Sequence, residues 1–213
     1  MTNKKNNTVV VLAPHTDDGE LGCGGAIAKF IKEGSNVYYI AFSLCKTSLP
    51  SHLATNTLEI EVKAATRILG IPESNLITFD FEVRKFKEQR QEILEELIKL
   101  RAKLNPDLVF LPCSTDIHQD HQTIHDEGVR AFKQTSILGY EMPWNNISLY
   151  TTSFIKLREE ELAIKVKALG EYKSQNHRNY LNENFIRSLA TTRGVQIGTE
   201  YAEAYEVIRW IWS

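Results

Sequence analysis

Two short stretches carry the residue types that metal-assisted hydrolysis needs. The first, VLAPHTDDGELGCGG (11–25), leaves an apolar run and crowds His15, Asp17 and Asp18 into four positions before a glycine-rich turn. The second, DIHQDH (116–121), adds His118, Asp120 and His121. Imidazole nitrogens and carboxylate oxygens are the donors that catalytic zinc takes, usually three from the protein with one place left for water. On that pattern His15, Asp18 and His121 are the ligand candidates. Asp17, beside the ion but unligated, is the candidate to accept a proton from the attacking water. His118 could point at the oxygen where negative charge develops, and Asp120 could orient a ligand imidazole. A plainer account makes the aspartates helix caps, whose oxygens accept from free backbone N–H groups, and the histidines surface residues at a helix start. The pair of clusters, each following an apolar strand, favours the metal.

The elements that must position these residues alternate along the chain. Val9–Leu12 is a continuous apolar run, as in a strand buried on both faces of a parallel sheet. Leu21–Glu33 has helical spacing, with Ile27, Phe30 and Ile31 on one face and Gly34 as a stop. Val37–Phe42 reads as a second strand, Leu58–Leu69 as a helix, Leu76–Phe79 as a strand and Gln89–Leu104 as a helix. Leu108–Leu111 is the next buried strand and Asp120–Phe132 the next helix. This alternation predicts one α/β domain over residues 1–213 with a mainly parallel sheet. In such sheets ligands gather at the carboxyl ends of the strands, where both polar clusters fall. The last third is less regular. Gly139–Asn146 reads as a loop, Ile147–Phe154 as a strand, Glu159–Tyr172 as a helix and Asn184–Thr191 as a shorter one, while Tyr201–Trp212 is ambiguous.

The totals narrow the class. Lys+Arg number 25 and Asp+Glu 27, a net charge of −2, which argues against a protein that binds nucleic acid by displacing counterions. No stretch approaches the roughly 20 apolar residues of a membrane span. The cysteines, Cys23, Cys45 and Cys113, are odd in number and widely spaced, which fits a reduced cytoplasmic setting. GCGG after a strand has the first two glycines of a dinucleotide-binding turn, but Ile27 stands where the third belongs. The glycines better suit close packing of the first helix on the sheet.

PHTDDGELGCGG (14–25) together with HQDH (118–121) resembles the LmbE-like or PIG-L-like zinc-dependent N-deacetylases, whose motifs read PHPDD and HxDH. Thr16 takes the place of the usual proline, at a position that is not a ligand. The resemblance implies a Rossmann-like three-layer sandwich. It implies zinc, or another divalent ion such as Fe2+, on His15, Asp18 and His121, with Asp17 as general base and His118 stabilising the oxyanion. It implies a small-molecule substrate with an N-acetylated amino sugar of the N-acetylglucosamine type, free, nucleotide-linked or lipid-linked, and release of acetate. The family often carries an arginine where this chain has Leu58.

Substrate-side candidates are Arg84, in FDFEVRKF; Trp144, in the loop; Arg193; and Glu203, in YAEAYE. Tyr172–Gln175 is a polar turn that could close over the site. Two other functions compete: a metal-dependent hydrolase of another N-acyl amide or ester, and a sugar- or nucleotide-binding module without chemistry. A homo-oligomer is left open.

Overall fold

The computed structural model describes residues 7–211. Seven strands form one sheet in the order β3-β2-β1-β4-β5-β7-β6. The strands are β1 Thr8–Ala13, β2 Asn36–Ala41, β3 Leu76–Thr78, β4 Leu108–Pro112, β5 Ser136–Tyr140, β6 Ser153–Leu157 and β7 Tyr201–Arg209. β1 to β5 pair in parallel, while β7 runs antiparallel to both β5 and β6. The helices are α1 Asp18–Lys32, α2 Thr57–Leu69, α3 Arg90–Leu104, α4 Gln119–Ala131, α5 Glu159–Leu169 and α6 Glu183–Gln196.

β1 explains the layering. Successive strand residues point to opposite faces. Val9, Val11 and Ala13 pack with Ile27 of α1, Val62 of α2, Leu162 of α5 and Ile186 of α6. Val10 and Leu12 pack with Ile93 and Leu97 of α3 and Ile124 of α4. Both faces are therefore covered, which is why β1 reads as an unbroken apolar run rather than an alternating one. The result is the three-layer α/β sandwich with a mainly parallel sheet.

The sheet order sets where a ligand can sit. From β1 the chain moves outward to β2 and β3, then returns to the other side of β1 for β4 and β5. The crevice beyond the carboxyl ends of β1 and β4 lies at this reversal, the place where open α/β sheets bind ligands. His15 follows β1 and His118 follows β4.

The last third differs from its sequence reading. Ser136–Tyr140 is a fully buried strand that takes in Gly139 and Tyr140, the first two residues of the expected Gly139–Asn146 loop. Gly139 hides it in the sequence, yet a Cβ there would lie 2.8 Å from the Cys113 Cα, so the close strand approach requires glycine. β6 begins at Ser153, and Ile147 is 85% exposed, so the Ile147–Phe154 strand is displaced toward the C-terminus. α6 is longer than Asn184–Thr191, and α5 stops at Leu169 before Gly170. β7 settles Tyr201–Arg209 of the ambiguous C-terminal segment as a strand between two neighbours, while Trp212 lies outside the described residues.

Candidate metal centre

β1 ends at Ala13, and the loop 14–17 turns directly into α1. Three donor atoms from two distant turns meet beyond it. His15 Nδ1 lies 3.1 Å from Asp18 Oδ2, His121 Nε2 lies 3.2 Å from the same oxygen, and the two nitrogens are 3.3 Å apart. A tetrahedral zinc about 2.0–2.1 Å from nitrogen and oxygen donors would hold them about 3.3 Å apart. The residues present therefore fit such an ion.

Both imidazoles are oriented from behind. A carboxylate only accepts, so His15 donates Nε2–H to Asp120 Oδ2 at 3.0 Å and His121 donates Nδ1–H to Asp116 Oδ2 at 2.7 Å. Each bond leaves the other ring nitrogen directed at Asp18, where it carries a proton in the metal-free protein and would offer a lone pair to an ion, the carboxylate–histidine arrangement that supports metal ligands. Asp116 also accepts from the His118 N–H at 2.8 Å, at the turn that opens α4.

The charge balance favours a cation. Burial opposes a charge on His15, but Asp18 and Asp120 outweigh it and raise its pKa to about 9. Burial likewise opposes a charge on His121, and Asp18 and Asp116 overcome it, raising the pKa to about 10. Burial would lift Asp18, yet His121 and His15 hold it well below the usual carboxylate range. This pocket of carboxylates stabilises positive charge at the point where the three donors meet.

His118 is a different kind of neighbour. His15, His118 and His121 each offer an atom within 4.8 Å of the others, a set that could also hold a metal. However, His118 caps α4, with its Nδ1 accepting from the Asp120 N–H at 3.2 Å. Burial, then the nearby His121 and His15, push its pKa down to about 4. A neutral ring whose Nδ1 accepts must carry its proton on Nε2, so that nitrogen is a donor and has no lone pair for an ion.

Asp17 precedes α1 and makes no capping bond through its side chain, contrary to the helix-cap account. Burial and the adjacent Asp18 raise its pKa to about 6, with His15 and Arg178 pulling it back. It lines a cavity of about 330 Å³ with His15, Asp18, His118, His121, Arg84 and Trp144.

The ligand turn rests on a buried polar platform. The Tyr39 hydroxyl lies 2.8 Å from the Thr16 carbonyl oxygen and contacts Glu20. The Tyr172 hydroxyl lies 2.5 Å from the same carbonyl and 3.0 Å from Glu20 Oε1. Tyr172 thus lies beneath the turn rather than over it, whereas Gln175 lines the cavity.

Two of the substrate-side candidates have other work. Glu203 is buried in a break of α1, where Cys23 leaves helical geometry at φ −146° and ψ 23°. Its carboxylate accepts from the N–H groups of Gly25 and Ala26 at 2.9 and 2.7 Å. Lys165 completes the repair, donating to Glu203 at 2.7 Å and to the Leu21 carbonyl at 2.7 Å. Helix ends expose unpaired backbone groups, and this ion pair satisfies them at both sides of the break. Arg193 forms a double ion pair with Glu141 at 2.9 and 2.7 Å. Neither Glu203 nor Arg193 is among the residues lining the histidine cavity; both line a separate void of about 20 Å³. The glycines do pack α1 closely: a Cβ at Gly22 would lie 2.3 Å from Tyr140.

Sequence reasoning passed over Asp116, although it stands in the same hexapeptide as His121 and could have been weighed as Asp120 was. It also passed over His177, Arg178 and Tyr180, which reach the cavity from a segment with no motif of its own.

Among the described residues no helix is long and apolar enough to cross a membrane. The chain matches the family model PIG-L, GlcNAc-PI de-N-acetylase, over residues 10–132, a span that contains both clusters. It is 28% identical to an uncharacterized deacetylase, YaiS, of Escherichia coli K12, over 80% of this chain and 92% of that one. It is 26% identical to the diacetylchitobiose deacetylase of Thermococcus kodakarensis, over 94% of this chain and 82% of that one. A solved structure, the 4-carboxy-2-hydroxymuconate hydratase GalB from a Pseudomonas putida strain, superposes with a TM-score of 0.79 at 17% identity, over 97% of this chain and 98% of that one, a likeness of fold alone. With both motifs inside the matched span, the chain belongs to the PIG-L (LmbE-like) family of metal-dependent N-deacetylases.

Proposed function

We propose that this deacetylase holds zinc on His15 Nδ1, Asp18 Oδ2 and His121 Nε2 and removes the N-acetyl group of an amino sugar or amino-sugar conjugate, releasing acetate and the free amine. An Fe2+ ion suits the same nitrogen–oxygen set. The observation that carries the reading is the convergence of those three atoms within 3.1–3.3 Å, next to a carboxylate, Asp17, that makes no capping bond.

The bound cation would polarise the acetamide carbonyl and make water acidic enough to lose a proton near neutral pH. Asp17 takes that proton as the water oxygen bonds to the carbonyl carbon. A carboxylate whose metal-free pKa is raised to about 6 by burial and Asp18, and which a bound cation would lower from there, is ionised at neutral pH and acidic enough when protonated to give the proton back. It returns the proton to the nitrogen as the C–N bond breaks, giving acetic acid and the amine, and the second water proton then passes from the acid to the amine or to solvent, leaving acetate. His118, neutral and with its proton on Nε2, donates to the carbonyl oxygen as negative charge builds there. Asp120 and Asp116 keep both ligand imidazoles in the required tautomer. The diacetylchitobiose deacetylase relative supports an amino-sugar substrate. Three unpaired, buried cysteines support a reducing cytoplasm.

A fold shared with a hydratase does not choose the reaction; product analysis does. Purified protein would be assayed for metal content and for acetate released from a panel of N-acetylated sugars, amino acids and thiol precursors. Asp17→Asn is expected to keep its metal and lose turnover, and His121→Ala to lose both. Unchanged metal and activity in His121→Ala would overturn the ligand assignment, and release of acetate only from amino acids would overturn the sugar.

A further inference from the structure

Exposure divides the lining of the cavity. His121 and Asp18 are buried, and His15, Asp17 and His118 are half-buried, whereas Arg84, His177 and Arg178 are exposed at its rim. Most arginines elsewhere are matched by acids: Arg90 and Arg130 by Glu127, Arg158 by Glu161, Arg187 by Glu159 and Glu183, Arg193 by Glu141. Among the described residues, Arg67, Arg84, Arg101, Arg178 and Arg209 form an ion pair with no carboxylate, and of these Arg84 and Arg178 are the two that line the cavity.

The backbone of Arg84 and the side chain of Arg178 are nevertheless held in place. Arg84 has φ 68°, a left-handed conformation that side-chain-bearing residues rarely adopt. The strain is locked from both sides, because its N–H donates to Asp120 Oδ2 at 2.6 Å and its carbonyl accepts from Gln119 Nε2 at 2.7 Å. Asp120 Oδ2 is the same oxygen that holds His15. One carboxylate therefore fixes the position of the Arg84 backbone relative to the metal ligands. Strained backbone that its surroundings over-determine is a mark of functional positions. Arg178 is braced by Gln175 and by the Tyr180 hydroxyl, each at 2.6 Å, with its guanidinium 5.6 Å from the Tyr180 ring centroid. Tyr180 in turn stacks on Trp144, with centroids 3.9 Å apart at 10°. These partners are neutral, so no carboxylate bonds Arg178, and its charge reaches Asp17 only through space.

Two rim guanidinium groups without an ion-pair partner, one carried on a locked backbone at Arg84 and the other braced at Arg178, beside an inner wall that holds Asp17 and Asp18, suit an oxyanion. They would also offset the repulsion that Asp17 and Asp18 exert on an anionic molecule. We infer that the substrate carries a phosphate or carboxylate remote from its acetamido group, and that Arg84 binds it with Arg178 as the second cation. This rests on the amino-sugar reading above.

The test compares acetate release from N-acetylglucosamine, its 6-phosphate and N-acetylglucosaminuronic acid, whose C6 carboxylate also lies across the ring from the acetamido group, by wild type, Arg84→Gln, Arg84→Gly, Arg178→Gln and Arg67→Gln. Arg84→Gly removes the cation while relaxing the backbone, and Arg67, remote on α2, is the control. Wild type is expected to favour one anionic sugar by at least about tenfold in kcat/KM, the effect of one charge-assisted hydrogen bond, and the preferred sugar separates phosphate from carboxylate. Both Arg84 variants should abolish that preference, Arg178→Gln should reduce it, and Arg67→Gln should keep it. Equal use of neutral and anionic sugars, or a preference that survives in both Arg84 variants, overturns the inference. Calorimetry of the same sugars with zinc-loaded Asp17→Asn and the double variant Asp17→Asn/Arg84→Gln reads recognition without turnover. Arg84-dependent binding of an anionic sugar, with no acetate from any sugar, supports the anion site and overturns the deacetylase reading. Acetate release without Arg84-dependent binding does the reverse.

Discussion

Asp116→Asn and Asp120→Asn look like the same substitution, yet the structure expects different results. Both oxygens of Asp116 face donors: the His118 N–H at 2.8 Å and the His121 Nδ1–H at 2.7 Å. An asparagine has one acceptor and one NH2 group, so no orientation serves both. If the amide oxygen stays on the His118 N–H, the NH2 faces His121 Nδ1 and drives the ring to its other tautomer. The proton then sits on Nε2, the nitrogen proposed to hold the metal. Restoring the metal-binding tautomer sets donor against donor, at about 1–3 kcal/mol for an unsatisfied buried group. That matches a loss of about 10–100-fold in affinity on removal of a ligand's supporting partner. Asp120 is asymmetric. Its Oδ2 accepts from His15 Nε2 at 3.0 Å and from the Arg84 N–H at 2.6 Å, whereas Oδ1 has only the long 3.4 Å bond from the Phe86 N–H. Asparagine can keep its oxygen at the Oδ2 position and lose only the weak contact, so zinc affinity should fall by less than about threefold. The assay is competition for zinc against a chromophoric chelator, with circular dichroism to show that each variant is folded. Equal losses in the two variants, or wild-type affinity in Asp116→Asn, would refute the tautomer argument.

Other outcomes follow from the same geometry. Asp17→Asn should lower kcat by about 10²–10⁴-fold, the usual contribution of a positioned proton acceptor, with metal content intact by elemental analysis. In wild type kcat/KM should fall on the acid side as Asp17 takes up a proton, with the limb at or below its metal-free pKa of about 6, because a bound cation lowers it. Stripped of metal, the protein should lose thermal stability as pH rises from about 6.5 to 10. His15 and His121 have folded pKa values raised to about 9 and 10, so their contribution is complete below 6.5 and disappears through those values. Glu20, raised by burial to about 8, loses stability in the same direction between 4.5 and 8. A melting temperature that is flat or rising over that range would contradict this. Lys165→Met and Glu203→Gln should each destabilise the fold by about 3–5 kcal/mol, since each leaves a buried charge unpaired, and urea unfolding of the double variant should show less than the sum.

Much of the site was legible in the residues because its parts follow local rules. β1 and β4 are buried on both faces, so they show as apolar runs, and the polar clusters immediately after them had to fall at strand ends. The sheet edge follows from the strand–helix alternation, since parallel strands present their carboxyl ends on one side. His15 and Asp18 are three positions apart in one turn, so local chain geometry alone brings them together. β5 was hidden because its glycine is needed by Cys113 of a neighbouring segment, a demand that appears only when the strands pair.

What the sequence by itself determined is the donor chemistry, the α/β class and the elements that end beside each cluster. Only the tertiary structure decided which carboxylate backs which imidazole. Asp120 to His15 and Asp116 to His121 span different distances along the chain, and a hydrogen bond depends on separation in space. The same applies to Glu203. In sequence it is an acid on a C-terminal strand, as free to line a cleft as to support a helix. Folding places it against the unpaired N–H groups of a broken α1, where it accepts from Gly25 and Ala26 and pairs with Lys165.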